Sequence, residues 1–362
     1  FINKRIKFIM AYTTIKKSSD YFNTKLYTGN GTARSITGVG FQPDFCWFKS
    51  RTSGESYRVF DSVRGATKHI VTNDSSAEST DATGLTSFNT DGFSLSTGNP
   101  VNANSQNFAS WNWKANGAGS ANTDGSINTT STSVNTTAGF SISKYTGNGT
   151  GGATIGHGLG VVPKFAIFKR TNSSGNWQVY HHSIGNNYVL KLNGADAKLD
   201  DNTFLNDTSP SNSLITLGGG GLVNGSGDTH ICYAFADVQG YSKFGSYTGN
   251  GNADGTFVYT GFKPAFVLIK YSTSISGWWQ ILDNKRDVYN PNSHALFANV
   301  SDTEYNLSNY HTDYLSNGFK LRNNTAGSNA NGGTYIYMAF AEEPLVGDNP
   351  ATARWLCSYL LT

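Results

Sequence analysis

The sequence predicts an all-β protein made of three tandem β-sandwich modules, with jelly-roll topology as one option. The first observation behind this prediction is a repeat, because Tyr27-Thr-Gly-Asn-Gly31 recurs at Tyr145 and again at Tyr247. The period of about a hundred residues suits a domain and is too long for a solenoid unit of about 20–50 residues. The second observation is that the copies share short segments rich in β-branched and aromatic residues, without three turns of helical periodicity.

Each Tyr-Thr-Gly-Asn-Gly motif is followed by a strand that begins just after a proline. Pro43, Pro163 and Pro264 stand at the strand entrances, where a missing amide donor does least harm. The run that follows in the third copy, Phe266-Val-Leu-Ile269, is continuously apolar. Such a run predicts a strand buried on both faces, although periodicity alone does not separate it from a short buried helix.

The later part of each copy contains further strands and their turns. Asp91-Gly92 and Asn317-Gly318 predict hairpins in copies one and three, because a type I′ turn needs positive φ. Copy two has no matching Asx-Gly turn. Each copy then closes on an aromatic strand, at residues 108–113, 231–235 and 335–340.

These landmarks divide the chain into six segments. We expect a leader at 1–26, module 1 at 27–116, a flexible linker at 117–137, module 2 at 138–239, module 3 at 240–344 and a tail at 345–362. The linker is dominated by Gly, Ala, Ser, Asn and Thr, a composition typical of flexible or extended connections. Met10 is a plausible translation start, so whether residues 1–9 and the apolar 355–362 belong to the mature protein stays open.

Composition and charge narrow the classes of function. Only 14% of the residues are charged, so polar uncharged side chains solvate much of the surface. The leader holds six basic residues and one acidic residue, which leaves the modules slightly negative despite the formal net charge of +3. This distribution disfavours a nucleic-acid partner, and no segment has the ~20 apolar residues of a membrane span. Three cysteines do not make a disulfide framework, which favours assembly in a reducing cytoplasm.

No catalytic or cofactor motif is found, so we expect a protein that is not an enzyme, with no cofactor and no metal. Gly147-Asn-Gly-Thr-Gly-Gly152 matches a dinucleotide fingerprint but lacks the helix that would follow it. The histidines and the acidic loop of copy two lack the spacing of a metal site. These weak metal candidates are His157, His181, His182, Asp196, Asp200 and Asp201.

A lysine ends the apolar strand in every copy, at Lys49, Lys169 and Lys270. We expect a solvated strand end, with a salt bridge to Asp61 or Asp283 as the alternative. Copy two has a histidine where the other two copies have these aspartates.

Tryptophans are the candidate binding residues, because exposed aromatic rings suit sugar stacking or protein interfaces. The alternative for most of them is core packing. Trp278 and Trp279 are adjacent in a predicted strand, so their side chains point to opposite faces and one of the two can face solvent. The full candidate set is Trp111, Trp113, Trp177, Trp278 and Trp279.

Several motifs together resemble an uncharacterised repeat domain of virion structural proteins from tailed bacteriophages, especially marine phages. They are Gly40-Phe-Gln-Pro-Asp-Phe-Cys-Trp-Phe-Lys49, Asp61-Ser-Val-Arg-Gly65, Trp111-Asn-Trp-Lys-Ala115 and Ala339-Phe-Ala-Glu-Glu-Pro344. The resemblance covers most of the chain, and copies one and three carry it best. It implies a virion structural protein and supplies no functional residues.

The expected function is therefore that of a tail fibre or tail-associated adhesin that binds the host surface multivalently. Its expected partners are other virion proteins, a host-surface glycan and further copies of the same chain, in a virion assembled in the host cytoplasm. A carbohydrate-binding protein or glycan depolymerase is one alternative, and a capsid-decorating cement protein is another. Because the loops at 50–56, 171–176 and 272–277 and the acidic stretch of copy two differ between copies, we expect recognition to lie there.

Overall fold

A computed structural model describes residues 13–344 as an all-β protein, which confirms the predicted fold class. The leader residues 1–12 and the tail 345–362 lie outside the described residues. The described helices are single turns, so strands build the fold. The 3₁₀ turns are Ser18–Asp20 and Ser308–Tyr310, and the α-helical turns are Asn99–Asn102 (α1), Asn202–Leu205 (α2) and Gly221–Asn224 (α3).

Module 1 is a four-stranded sheet packed on a three-stranded sheet, with one short additional ladder. The sheet orders are β1-β9-β3-β4, β2-β8-β7 and β5-β6, all antiparallel. The strands are Phe22–Thr28 (β1), Arg34–Thr37 (β2), Phe45–Ser50 (β3), Arg58–Asp61 (β4), Lys68–His69 (β5), Ser79–Thr80 (β6), Leu85–Asn89 (β7), Gly92–Leu95 (β8) and Asn107–Trp113 (β9). The module thus begins at Phe22, inside the segment predicted to be a leader.

Module 2 repeats this plan with a larger main sheet. The sheet orders are β10-β11-β18-β13-β14-β15-β16 and β12-β17. The strands are Ser131–Asn135 (β10), Phe140–Thr146 (β11), Thr154–Gly156 (β12), Phe165–Arg170 (β13), Gln178–His181 (β14), Tyr188–Lys191 (β15), Leu199–Asp200 (β16), Leu214–Thr216 (β17) and Thr229–Phe235 (β18).

Module 3 completes the set. Its sheet orders are β19-β27-β21-β22-β23-β24 and β20-β26-β25. The strands are Ser242–Thr248 (β19), Phe257–Tyr259 (β20), Lys263–Tyr271 (β21), Trp279–Asp283 (β22), His294–Phe297 (β23), Tyr305–Asn306 (β24), Thr312–Leu315 (β25), Gly318–Leu321 (β26) and Thr334–Glu343 (β27). The predicted Asx-Gly hairpins are the turns before β8 and β26.

The segment 117–137, predicted to be a flexible linker, is built into module 2. Its residues 131–135 form β10, which pairs with β11 along the edge of the main sheet. Ile127 is buried, and Ser120 bridges to Thr132. Composition alone does not show these contacts, because Ser and Thr pair as readily in a ladder as they hydrate in a linker.

The three modules close into a ring around a shared core. Each module has its own core between its two sheets, and a fourth core joins residues of all three. At its centre, the ring centroid of Trp113 lies 6.3 Å from that of Phe235 and 5.6 Å from that of Phe340, and the two Phe centroids are 6.2 Å apart. These residues hold the same register position in β9, β18 and β27, so they mark a pseudo-threefold axis. The main sheets are therefore buried on both faces, which explains their continuously apolar runs.

Candidate functional site

Four of the five candidate tryptophans are core residues, which agrees with the core-packing alternative and opposes a binding role for these four. Trp111, Trp113, Trp177 and Trp279 are at most 1% exposed. Three of their indole groups donate across modules. Trp177 donates to the Val71 carbonyl and Trp279 to the Lys191 carbonyl, each at 2.8 Å, and Trp111 donates to the Asp283 carboxylate at 3.0 Å. A ring enclosed in this way offers no face to a sugar, so these residues hold the ring of modules together.

The three repeated lysines also lie in the joints between modules, which corrects the prediction of solvated strand ends. Each ammonium is buried and donates to a backbone carbonyl of the neighbouring module, and none bonds to Asp61 or Asp283. Burial lowers the pKa of Lys270 to about 7 and the pKa of Lys49 and Lys169 to about 8. The acceptors across the joints are Ser301 for Lys49 at 3.1 Å, Ser75 for Lys169 at 3.0 Å and Ala195 for Lys270 at 2.9 Å.

The loops that differ between copies serve the same joints. The backbone carbonyls of Arg51, Thr171 and Ser272 lie in or at the start of these loops. Each accepts a hydrogen bond from a neighbouring module's amide, and the donors are Glu304, Glu78 and Lys198, at 2.8–2.9 Å. These loop backbones therefore join module to module, and a recognition role for them stays a prediction.

Module 1 holds a charged trio at its joint with module 2, in which Asp61 and Arg64 are buried and Glu78 is partly exposed. Arg64 bonds Asp61 at 2.5 Å and Glu78 at 3.3 Å, and its remaining nitrogen donates to the Val59 carbonyl. Tyr233 of module 2 donates to the same Asp61 carboxylate at 2.6 Å. Neighbouring carboxylates raise the pKa of Arg64 despite its burial, so the guanidinium keeps its charge in the core.

Module 3 repeats this arrangement at its joint with module 1. Arg286 bonds Asp283 at 2.6 Å and Glu304 at 3.0 Å and also donates to the Ile281 carbonyl. The donor from the neighbouring module is the indole of Trp111, 3.0 Å from the Asp283 carboxylate. The Asp-x-x-Arg spacing alone does not predict an ion pair at a joint. Its recurrence in copies one and three is the sequence pattern that could have pointed to these charged trios.

Module 2 forms the equivalent joint without an ion pair among the matching residues. Its matching residues are His181, Ile184 and Lys198, and module 3 presents Met338 where the other modules present Tyr233 or Trp111. His181 is buried with a ring nitrogen 3.2 Å from the Tyr337 carbonyl, and burial lowers its pKa to about 3. A thioether donates no hydrogen bond, so an aspartate here would lack the partner that it has in the other two joints.

The Tyr-Thr-Gly-Asn-Gly loops have a structural role. In module 1 the Tyr27 hydroxyl donates to the Val101 carbonyl at 2.6 Å, and the Asn102 side chain accepts from the Asn30 amide. Gly29 lies so close to Ala103 that a Cβ would contact its carbonyl oxygen, and Gly31 has φ +67°. The copies at Tyr145 and Tyr247 make the same tyrosine bond.

An open aromatic groove in module 3 is the candidate binding site. Trp279 faces the core, so the preceding Trp278 faces outward and is 36% exposed. Its ring packs edge-on against Phe297, with centroids 5.0 Å apart, and Phe297 packs against Tyr310 at 5.3 Å. The groove has a volume of about 240 Å³ and no charged residue in its lining, which is Ser276, Trp278, Phe297, Asn309, Tyr310, Thr325 and Gly327.

The groove belongs to module 3 alone among the three register-equivalent positions. Ser56 and Asn176 stand where module 3 has Trp278, and each bonds an asparagine of its own module. Binding through this groove would therefore occur once per chain. The adjacent tryptophans were the sequence signal for it, because strand alternation sends one of them outward.

Other candidates gain no support as sites. Within residues 13–344, no group of three or more His, Cys, Asp or Glu side chains is placed to hold a metal ion. His157 is buried with its ring near the Ser211 carbonyl, and Asp201 caps α2. Asp196 pairs with Lys191. None of the helices described by the structure is long and apolar enough to cross a membrane.

The fold and the joints define a single-chain, pseudo-threefold all-β protein. The chain belongs to the family described as Domain of unknown function (DUF7483), whose model matches residues 17–344 and so spans all three modules. Comparisons with curated proteins and with solved structures found no match.

Proposed function

We propose that this chain is a non-enzymatic structural protein of a phage virion, acting in a tail fibre or another tail-associated adhesin that attaches to the host surface. The observation that carries the attachment role is the Trp278 groove, held on a ring of three modules that share a core. Its aromatic walls and neutral hydroxyl and amide groups suit a host-surface glycan. The motif resemblance to phage virion proteins supports the location.

The single groove changes how multivalence would arise. Weak sites gain avidity when several are linked, and one chain offers this groove once. Avidity would then come from several copies of the chain in the particle, together with other virion proteins.

Binding to a glycan array and to host cells tests the proposal. We expect Trp278→Ala to weaken binding at least about tenfold, since about 1.5–3 kcal/mol accompanies burial of a large apolar side chain. Tyr289→Ala is the matched control, because Tyr289 is 85% exposed in the same module and outside the groove. Equal binding by the two variants would contradict the groove's role, and finding no trace of the chain in purified virions would contradict the location.

The same assay separates binding from degradation. A depolymerase needs paired carboxylates in a cleft, whereas Asp61 with Glu78 and Asp283 with Glu304 each share a buried arginine. We expect bound glycan to be recovered intact, and release of shorter sugars would overturn the non-enzyme assignment.

A cement protein of the capsid is the second candidate, and the pseudo-threefold axis favours it. Three similar modules around Trp113, Phe235 and Phe340 can offer related contacts to three copies of a symmetric partner. Imaging of intact particles distinguishes the two, because density on threefold positions of the capsid supports cement and density on the tail supports the adhesin.

A further inference from the structure

A small cleft opens in module 2 between β14, α2 and the glycine run that leads into α3. Its volume is about 90 Å³, more than the roughly 10–15 Å³ that one water molecule needs, so a small organic group fits inside. It shares no lining residue with the aromatic groove of module 3. Its walls include Gln178, Asp201, Thr203, Phe204, Gly220 and Leu222.

Gln178 brings an unused hydrogen-bond donor to this cleft. Val179 packs in the shared core, so by strand alternation the side chain of Gln178 faces the other side of the main sheet, where the cleft lies. Gln178 is 4% exposed, and its amide nitrogen Nε2 has no partner among the described residues. Buried donors without an acceptor are rare in folded proteins, which indicates an acceptor from outside the described chain.

Asp201 supplies an acceptor at the same cleft. Its Oδ1 accepts from the Thr203 amide at 2.9 Å and from the Thr203 hydroxyl at 2.6 Å, which caps α2. Both hydrogen bonds that the described residues give this carboxylate go to Oδ1. The cap therefore holds the carboxylate in place and leaves Oδ2 to accept from a ligand.

The glycine run 218–221 keeps one wall of the cleft free of side chains. The amides of Gly218 and Gly220 donate to the carbonyls of Phe204 and Thr203, at 2.7 and 2.9 Å. A Cβ on either glycine would collide with the Thr203 carbonyl oxygen, so glycine is what lets this turn lie directly on α2. The opening beside the turn stays clear as a result.

Module 1 treats the equivalent place differently. Arg58 and Asp81 hold the register positions of Gln178 and Asp201, and Asp81 accepts from Thr83 in the same way. Burial lowers the pKa of Arg58, and the Asp81 charge acts against that change. Module 1 thus sets a cation of its own near this carboxylate, whereas the neutral Gln178 leaves Asp201 to a ligand.

We propose that the module 2 cleft binds the acetamido group of an N-acetylated amino sugar. This group carries a carbonyl, an N–H and a methyl within a few atoms. The carbonyl accepts from Gln178 Nε2, the N–H donates to Asp201 Oδ2, and the methyl packs against Phe204 and Leu222. A sugar hydroxyl alone lacks this combination, and an extended peptide is larger than a cleft of about 90 Å³.

An NMR titration of the full chain with N-acetylglucosamine tests the site. We expect glucose, which lacks the acetamido group, to bind at least about tenfold more weakly. Gln178→Met keeps the side-chain length and removes the donor, so it should weaken binding of N-acetylglucosamine at least about tenfold. Gln280→Met is the matched control and should leave binding unchanged, because Gln280 holds the same register position in module 3, is 0% exposed and lines neither opening.

A second variant keeps the test decisive if Gln178→Met does not fold, which circular dichroism checks. Asp201→Asn retains an oxygen for the Thr203 cap and replaces the other oxygen by an amide donor. This donor would face the N–H of the acetamido group, so binding of N-acetylglucosamine should weaken by a similar factor.

The outcomes distinguish this cleft from the aromatic groove. Equal binding of the two sugars, or unchanged affinity in both cleft variants, would overturn the proposal. Binding of neither sugar would overturn it as well and would mean that water alone fills the cleft. Loss of N-acetylglucosamine binding in Trp278→Ala, with retention in Gln178→Met, would assign the sugar to the groove. Failure of the groove to bind any glycan would leave the expected results at the cleft unchanged.

Discussion

The joint of module 1 with module 2 and the joint of module 2 with module 3 occupy equivalent places and use opposite chemistry. The first joins buried Asp61 and Arg64 to partly exposed Glu78, and Tyr233 of the neighbouring module donates to the aspartate. The second has His181, Ile184 and Lys198 beside Met338. The difference teaches that the buried ions depend on one donor from the neighbour, because a buried carboxylate is tolerated only when it is paired and hydrogen-bonded.

Removing the aspartate of an ionic joint is expected to have the largest effect. Asp283→Ala leaves the guanidinium of Arg286 without its closest partner and the Trp111 indole without an acceptor, so the free energy of unfolding should fall by about 3–5 kcal/mol. Denaturant unfolding measures this. Asp200→Ala on the exposed β16 is the control and should change stability by less than about 0.5 kcal/mol. A loss below about 1 kcal/mol at Asp283 would mean that the trio contributes little.

Converting one joint into the other sharpens the comparison. A variant of module 1 with Asp61→His, Arg64→Ile and Glu78→Lys, combined with Tyr233→Met, recreates the residues of the second joint. Residues in one network are energetically coupled. We therefore expect the combined variant to be at least about 2 kcal/mol more stable than the summed effects of the four single changes predict. Urea unfolding of the unchanged chain, the four single variants and the combined variant gives the coupling energy. Simple additivity would show that the two joints are not alternative solutions.

The lysines predict a rise of stability with pH. Burial holds the pKa of Lys270 at about 7 in the folded chain, below its unfolded value, so the folded state binds fewer protons between these values. The free energy of unfolding should therefore gain up to about 1.4 kcal/mol per pH unit from this group between about pH 7 and 10. Lys270→Met should reduce the slope measured by unfolding at several pH values. Lys164→Met, at a partly exposed strand entrance, should leave the slope unchanged.

Acid unfolding is expected to depend on His181, which lies at the joint of module 2 with module 3. Burial lowers the pKa of His181 to about 3, so its contribution to stability is present above the unfolded pKa and is lost as the pH falls toward 3. His181→Gln removes this titration, and we expect the acid-unfolding midpoint to move to lower pH by about half a unit. Fluorescence during acid titration follows the transition. His311 lies outside the joints. An equal shift of the acid-unfolding midpoint in His311→Gln would show that the effect does not come from the joint.

Strand patterns and turn residues predicted the modules, their hairpins and the doubly buried strands, because these follow from local preference and alternation. The ring did not follow from the sequence. The run Phe266-Val-Leu-Ile269 shows that both faces are covered and does not say by what. The sequence predicts a solvated end for Lys49, because its carbonyl partner Ser301 lies in another module and is not visible from the local pattern. The sequence indicates that one of Trp278 and Trp279 faces outward, and only the structure shows that it is Trp278.

The closed ring also changes how this protein responds to dilution. An assembly of three separate subunits around one axis comes apart as its concentration falls, and its stability depends on that concentration. Here Trp113, Phe235 and Phe340 meet within one covalent chain, so closure is unimolecular and the same at any concentration. A single released copy would keep its threefold form, and each of its interfaces would be free to acquire different residues, as the three joints have done.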